Sequence, residues 1–360
     1  MSKQRTDLKK LRVGVIGCGI IAETHLPYIR KAGGEIVGLA DLSLVQANDL
    51  ADRFAVQRIY RTARELIEAE TPDVVHVLTP PHTHAAVAVE ALERRVHVLV
   101  EKPMAIDPDE AEAMVRAARA SGALLTVDHN RLFDPVMLQA RTLVDSGALG
   151  EIIAVESYQS GQASERGWLE HLPGRGLGDL LPHPLYLQLA FLGGVRELHA
   201  HSFRVESAPG GEELRVYMEG EGKTGVLTIS TNARPQLNTL KLYGTRMTVE
   251  ANMNNMTIVQ RRDYDVPKVI AKSLPNLDDA AQLLVQTARN TVDFLRGKVR
   301  YYPGMGTLIA RFYDAVRNGT PAPVDAAAGA EVVRVTDWIW RDLAADGTGG
   351  RTARRAALEV

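Results

Sequence analysis

Cysteine is nearly absent. Cys18 is the only one in 360 residues, so no intrachain disulfide can form and nothing calls for an oxidising compartment. No sign of charge dominates. Forty-two Lys and Arg stand against 44 Asp and Glu, a formal net charge of −2, which leaves no basic footprint for nucleic acid. No apolar run approaches the ~20 residues that a membrane span requires. The basic start, MSKQRTDLKK, runs into an apolar stretch that reads as a strand and not as a signal segment. Internal repeats and low-complexity domains are missing too. These absences point to a cytoplasmic globular protein that neither spans a membrane nor binds nucleic acid. The length suggests about two domains with sizeable cores.

What is present is concentrated in Val13 to Asp41, VGVIGCGIIAETHLPYIRKAGGEIVGLAD. An apolar run ends in Gly17-Cys18-Gly19-Ile20-Ile21-Ala22, a helical segment follows, and a second apolar run closes on Asp41. This strand, glycine turn, helix, strand and acid match the dinucleotide-binding fingerprint, with Ala22 in the place of the third glycine. Gly17 permits a tight turn. Gly19 lets backbone approach a pyrophosphate. The helix N-terminus at Ile20 and Ile21 offers free N–H groups and partial positive charge to that phosphate. Asp41 follows Ala22 at the expected spacing of about 20 residues. A carboxylate there accepts from a ribose 2′-hydroxyl and repels a 2′-phosphate, so NAD is favoured over NADP.

The same alternation continues to Asn130. Continuous apolar strands at Val74–Leu78, Val96–Val100 and Leu124–Val127 alternate with helical stretches, of which Pro108–Ser121 has proline at its start and Gly122 after its end. That predicts a doubly wound parallel sheet, with ligands outside the carboxyl ends of its strands. Thr79-Pro80, Glu101-Lys102 and Asp128 to Arg131 all fall at such ends.

The texture changes after Phe133. From Glu151 to Gln260, apolar residues alternate with polar ones in short runs, some separated by turns such as Pro209-Gly210-Gly211 and Gly220-Glu221-Gly222. This predicts an α+β domain with an open, mainly antiparallel sheet of about six strands. The open face is a candidate surface for a homodimer or homotetramer. Leu277–Leu295 reads as an amphipathic packing helix; its Asp278, Asp279 and Asp293 oppose anionic lipid. Two more helices are expected at Thr307–Asn318 and Ala328–Leu343. The expected division is an α/β Rossmann domain over residues 1–130, a substrate and oligomerisation domain over 131–343, and a flexible tail over 344–360.

Together these residues resemble the Gfo/Idh/MocA family of dinucleotide-dependent sugar oxidoreductases. The matching pieces are Gly17 to Ala22, Thr79-Pro80-Pro81-His82-Thr83-His84, Glu101-Lys102-Pro103, Asn130-Arg131-Leu132-Phe133, Gly176-Leu177-Gly178-Asp179 with His183, and Phe312 to Gly319. The resemblance implies a Rossmann domain followed by an open antiparallel sheet, in dimers or tetramers. It implies hydride exchange between a nicotinamide and a carbinol carbon of a sugar, cyclitol or nucleotide-linked sugar. The family's catalytic lysine, aspartate and histidine map onto Lys102, Asp179 and His183. Position and resemblance together nominate Gly17, Cys18, Gly19, Ile20, Ile21, Asp41, Thr79, Pro80, His84, Glu101, Lys102 and Asn130 as cofactor contacts. His84 reads equally as an ordinary helix-start residue.

Oxidising an alcohol needs a base for the hydroxyl proton. His183 suits that role, since an ordinary imidazole titrates near ~6.5. Lys102 would stabilise alkoxide character, or act as the base itself if desolvated. Asp179 stands four residues before His183, which on a helix shares one face with it. Two features keep this open. The family pattern has glycine two residues before the histidine, where this chain has Leu181, which narrows the space near the substrate. Pro182 and Pro184 flank the histidine, so a helix starting at Pro184 would leave His183 at its cap and break the shared face. Trp168 could stack on a sugar ring and Arg175 could hold a phosphate or carboxylate; a plain surface loop is the equal alternative. His76 and His97 read as structural. His199 and His201 lack metal spacing, and no metal is expected. Two other outcomes stay open: an enzyme that recycles tightly bound NAD through transient oxidation, and a dinucleotide-binding protein without catalysis.

Overall fold

The computed structural model describes residues 10–162, 167–204, 212–297 and 302–345, and only the backbone of 268 and 269. The turn expected at Pro209-Gly210-Gly211 and the tail beyond 345 lie outside them. The chain forms two compact units. One takes in Met1–Asn130 with Met305–Arg334, the other Arg131–Gly304 with Val335–Val360.

The first unit runs β1 (Leu11–Ile16), α1 (Ile20–Lys31), β2 (Gly34–Ala40), α2 (Leu44–Phe54), β3 (Ile59–Tyr60), α3 (Ala63–Glu70), β4 (Val74–Val77), α4 (His84–Glu93), β5 (His97–Val100), α5 (Pro108–Ser121) and β6 (Leu125–Val127). Its sheet has six strands in the order β3-β2-β1-β4-β5-β6, and every pairing is parallel. The strands are mostly apolar because both faces are covered: β4 is buried at all of its positions, His76 included, and so is β6 with Thr126. Caps set the helix starts. Ser43 accepts from the Gln46 amide, Thr62 and Glu65 form a reciprocal capping box, and Asp107 accepts from the Asp109 amide ahead of Pro108.

The second unit opens with α6 (Pro135–Asp145), β7 (Ile152–Ser160), α7 (Gly176–Leu180) and α8 (Pro182–Leu192). β8 (Glu197–Arg204), β9 (Glu212–Glu219), β10 (Thr224–Ser230), β11 (Asn238–Gly244), β12 (Met247–Asn252) and β13 (Thr257–Arg262) follow, then α9 (Lys268–Ala271) and α10 (Leu274–Leu295). The sheet has seven strands among the described residues, not about six, in the order β13-β12-β11-β7-β10-β9-β8. One pair, β7 with β10, is parallel; the rest are antiparallel. The parallel pair follows from chain order, since α8, β8 and β9 intervene between β7 and β10. α8 covers one face of the sheet, where Gln188 Nε2 donates to the Val155 carbonyl at 2.8 Å and its Oε1 accepts from Ser157 at 3.3 Å. The opposite face carries Phe203, Tyr217 and Val226, 38–44% exposed.

α10 has no buried residue, and it holds the edge of the sheet by polar side chains. Gln286 Oε1 accepts from the Ile258 amide at 2.8 Å while its Nε2 donates to the Ile258 carbonyl at 2.8 Å. Gln282 makes the same pair with Gln260, at 2.9 and 3.0 Å. Four helix residues rise about 6 Å and two strand residues span about 6.6 Å, so glutamines four residues apart match alternate residues of β13.

α11 (Pro303–Asn318) and α12 (Ala326–Ala345) end the described chain. The expected second domain over 131–343 therefore needs correction, because Met305–Arg334 belongs to the first unit. The cause is apolar: Met305, Ile309, Phe312 and Tyr313 are fully buried in the core that holds Val13, Val15, Leu26, Ile29 and Leu39. Helical spacing alone does not say which sheet a helix covers.

Candidate functional site

In the first unit, strand order sets the site. Neighbouring strands β2, β1, β4, β5 and β6 end in Asp41, Gly17 to Gly19, Thr79-Pro80, Glu101-Lys102 and Asn130, so these residues line one edge of the sheet. Gly17 has φ 97°, and a Cβ there would lie 2.6 Å from the Leu78 carbonyl carbon, so only glycine fits. Space above Gly19 is open, with no atom within 4 Å of a built Cβ. α1 starts at Ile20 without a side-chain cap from Gly19. Ile20 is 70% exposed, Ile21 half-buried, and Ala22 fully buried against the sheet. An open, uncapped helix N-terminus behind a glycine turn fits a pyrophosphate.

Asp41 is pinned by two backbone amides. Its Oδ2 accepts from the Cys18 amide at 2.8 Å and its Oδ1 from the Ser43 amide at 2.7 Å. The carboxylate is thus fixed at the end of β2 beside the glycine turn, with lone pairs left for a ribose diol. The Cys18 thiol is buried against the Ala40 carbonyl, and burial together with the Asp41 charge pushes its pKa up to about 12. It is an inert packing thiol whose amide does the work.

His84 departs from its expected place among the cofactor contacts. The ring is fully buried, with Nε2 2.7 Å from the Thr79 carbonyl and Nδ1 2.9 Å from the Pro103 carbonyl. It ties the turn after β4 to the turn after β5, and so positions Thr79-Pro80 and Lys102 without facing a ligand. Burial lowers its pKa, against the pull of those carbonyls. Thr79 is half-exposed and accepts from the Thr83 hydroxyl at 2.7 Å; Pro80 is exposed. Lys102 is half-buried and Asn130 buried.

Beneath this edge lies a buried polar group that the sequence did not reveal. His25 Nε2, on α1, lies 3.3 Å from Asp128 Oδ2 and 3.6 Å from Glu101 Oε1. Its Nδ1 is 3.0 Å from His76 Nδ1, and His76 Nε2 is 2.9 Å from the Tyr313 hydroxyl. His25, His76, Asp128 and Tyr313 are fully buried. One signal was available: His25 sits on the stripe Ala22, His25, Leu26, Ile29, so a polar side chain interrupts the buried face of α1. His76 is structural, as expected. So is His97, whose Nδ1 accepts from the Leu124 amide at 2.9 Å.

In the second unit, the segment from Trp168 to His183 is continuous helix and turn. Trp168 is half-buried in a 3-10 turn, Gly167–His171, that packs on α7. Arg175 is exposed and has a positive φ of 46° just before α7. Gly178 is required by contact, since a Cβ there would lie 2.2 Å from the Pro173 carbonyl oxygen. The helix does not start at Pro184. Leu181 is helical (φ −55°, ψ −41°), its amide donates to the Leu177 carbonyl at 2.8 Å, and α8 begins at Pro182. Pro182 falls where a first-turn proline loses no hydrogen bond. Asp179 and His183 therefore stand on successive turns, both half-buried. Leu181 is fully buried and packs in the core, so it does not narrow a substrate space as expected. His183 Nδ1 lies 3.0 Å from the hydroxyl of Tyr186, a partner the sequence analysis missed. A tyrosine three residues on from a histidine is the pattern that would have shown it.

One ring nitrogen of His25 and one carboxylate oxygen each of Glu101 and Asp128 lie within 4.8 Å of one another. Among the described residues no helix is long and apolar enough to cross a membrane.

Known proteins share the two-domain order of this chain. Residues 11–129 match the oxidoreductase family with an NAD-binding Rossmann fold, and residues 137–250 match the GFO/IDH/MocA C-terminal domain. D-glucoside 3-dehydrogenase of Escherichia coli is 33% identical over 203 residues, 54% of this chain and 58% of that protein. Several of the curated relatives, this one included, are thus matched over less than two thirds of their length. An inositol 2-dehydrogenase of Gluconacetobacter diazotrophicus is 25% identical over 328 residues, 89% of this chain and 90% of that one. The WlbA dehydrogenase of Bordetella pertussis, solved with NADH and UDP-GlcNAcA, superposes with a TM-score of 0.75 at 19% identity, covering 94% of this chain and 96% of that one. Two matched domains in the family's order, a glycine turn shaped for pyrophosphate and an aspartate pinned beside it lead to one conclusion: the chain belongs to the Gfo/Idh/MocA oxidoreductase family.

Proposed function

We propose that this protein is an NAD-dependent dehydrogenase that oxidises a carbinol carbon of a sugar, cyclitol or nucleotide-linked sugar, or runs the reverse reduction. The observation that carries the proposal is the position of Lys102. It leaves the C-terminal end of β5 on the same sheet edge as the glycine turn and Asp41, where a strand-end cation meets a bound nicotinamide's substrate.

Gly17 to Gly19 and the amides of Ile20 and Ile21 hold the pyrophosphate, and Asp41 takes the ribose diol. Bound there, nicotinamide supplies the hydride acceptor. Lys102 hydrogen-bonds the reacting oxygen and stabilises its alkoxide character. His183 takes the hydroxyl proton at Nε2, with the ring held at Nδ1 by Tyr186. Asp179, one turn away, binds a substrate hydroxyl. Trp168 offers a stacking face and Arg175 an anion partner, both toward the substrate. A homodimer or homotetramer forms through the open sheet face, whose Phe203, Tyr217 and Val226 await cover. The single cysteine suits a cytoplasmic protein.

The test is cofactor content and turnover of the purified protein. NAD reduction with a sugar or cyclitol, and a Lys102→Ala variant that binds NAD but turns nothing over, would support the proposal. NADP preference, or turnover surviving in Lys102→Ala, would sink it. NAD released only on denaturation, without exchange during turnover, would replace it with a recycled cofactor.

A further inference from the structure

Two buried carboxylates, Glu101 and Asp128, and the imidazole of His25 lie together beneath Lys102. Glu101 Oε2 accepts the backbone amide of Lys102 at 2.9 Å, while its Oε1 lies 3.6 Å from His25 Nε2. Asp128 Oδ2 is 3.3 Å from the same nitrogen; apart from these ion-pair approaches, neither His25 Nε2 nor either Asp128 oxygen has a hydrogen-bond partner among the described residues. Two ionised carboxylates without a cation are costly in such a site. His25 is the cation at hand.

The ring is locked from its other side as well. His76 is buried and its pKa lies well below the ordinary value, first through burial and then through the His25 charge. A neutral His76 can accept at Nδ1 and donate from Nε2 to the Tyr313 hydroxyl, the tautomer that lets His25 carry protons on both nitrogens. Burial lowers its pKa, but Asp128 and Glu101 outweigh burial and raise it to about 9. The chain of partners runs from α11 through β4 and α1 to the end of β5.

We propose that His25 is a positioning residue for Lys102: as an imidazolium between Asp128 and Glu101, it holds the Glu101 carboxylate on the Lys102 amide and so aims the lysine. This deepens the dehydrogenase assignment and rests on Lys102 being its catalytic residue. The other ionisable groups around the cluster are His76, Tyr313, Lys102, His84 and His129; the Glu101 charge acts on both His84 and His129.

The experiment compares His25→Leu, which removes both donors, with His25→Gln, whose amide nitrogen reaches the Nε2 position. Misplacing a catalytic group by 1 Å costs about 100-fold, so His25→Leu should lower kcat by about that factor. KM and NAD affinity should stay within about threefold, and His25→Gln should recover about tenfold of the loss. Should the leucine variant not fold, the glutamine variant carries the comparison with wild type, at a kcat about tenfold reduced. Wild-type kcat in His25→Leu, or equal loss of kcat and NAD binding in both variants, would overturn the proposal.

A second readout needs no substrate. Hydrogen exchange of the Lys102 amide should quicken about tenfold in His25→Leu, because its acceptor is released. Unchanged exchange overturns the positioning role. Inert wild type with quickened exchange would defeat the dehydrogenase assignment and leave the positioning intact. One equivalent of zinc, retained by wild type and lost in His25→Leu, would also overturn it, since Nε2 would then be a ligand and not a donor.

Discussion

The Tyr186 hydroxyl lies 3.0 Å from His183 Nδ1 and accepts the Arg131 amide at 3.3 Å. With one lone pair taken by Arg131, a second can accept an Nδ1–H of His183, the tautomer in which Nε2 is the proton-accepting nitrogen. Tyr186→Phe should lower kcat about tenfold, a loss of about 1.4 kcal/mol, with little change in KM. Steady-state kinetics across pH would check it. Unaltered kcat and pH profile would remove Tyr186 from the site.

Asp41 bonds two backbone amides that shape the glycine turn. Asp41→Ala should weaken NAD about tenfold and bring NADP close to parity, since a lost charged hydrogen bond costs about 1.5–3 kcal/mol. Titration of both dinucleotides by protein fluorescence would measure the ratio. An unaltered preference for NAD would place its origin elsewhere.

Gln282 and Gln286 satisfy both the N–H and the C=O of alternate residues on an outer strand. Replacing both with Ala frees four backbone groups of β13. Amide exchange at Ile258 and Gln260 should speed up by about 10- to 100-fold, at about 1 kcal/mol per lost bond. The bared edge should also self-associate, which light scattering would detect.

Tyr313→Phe removes the acceptor of His76 Nε2 in a fully buried site. A stranded donor costs about 1–3 kcal/mol, so the variant should unfold at lower denaturant with an unchanged m value. Equal midpoints would mean that His76 finds another acceptor.

Stability should depend on the charge of His25. Its folded pKa is raised to about 9 from 6.5, after burial is outweighed by Asp128 and Glu101. A raised pKa gives stability that is full below 6.5 and lost as pH climbs through 9, a contribution on the order of 3 kcal/mol. His129 acts in the opposite sense. Burial lowers it to about 3, so its share is present above 6.5 and lost as pH falls toward 3. The difference in Tm between wild type and His25→Gln should be largest near pH 6 and shrink by pH 9. A difference that does not vary with pH would show that His25 is neutral.

The sequence by itself determined the dinucleotide-binding half and its acid. Gly17, Ala22 and Asp41 answer to local demands of backbone angle, helix–strand contact and strand end, and such demands are written in adjacent residues. It also marked Glu101-Lys102 and the segment around Asp179 and His183. Tertiary structure decided the rest. Whether Pro182 and Pro184 break the helix depended on Leu181 staying helical in a packed core. Which sheet α11 covers, and that Tyr313 reaches His76 across 237 residues of chain, depended on long-range burial. Leu277–Leu295 was legible as an amphipathic packing helix, but not that Gln282 and Gln286 would hold β13, because nothing in a helix's own sequence names the strand edge it will meet. His25 shows the same division: its place on a buried stripe was legible, but its two carboxylate partners arrive from β5 and β6 only when the sheet closes.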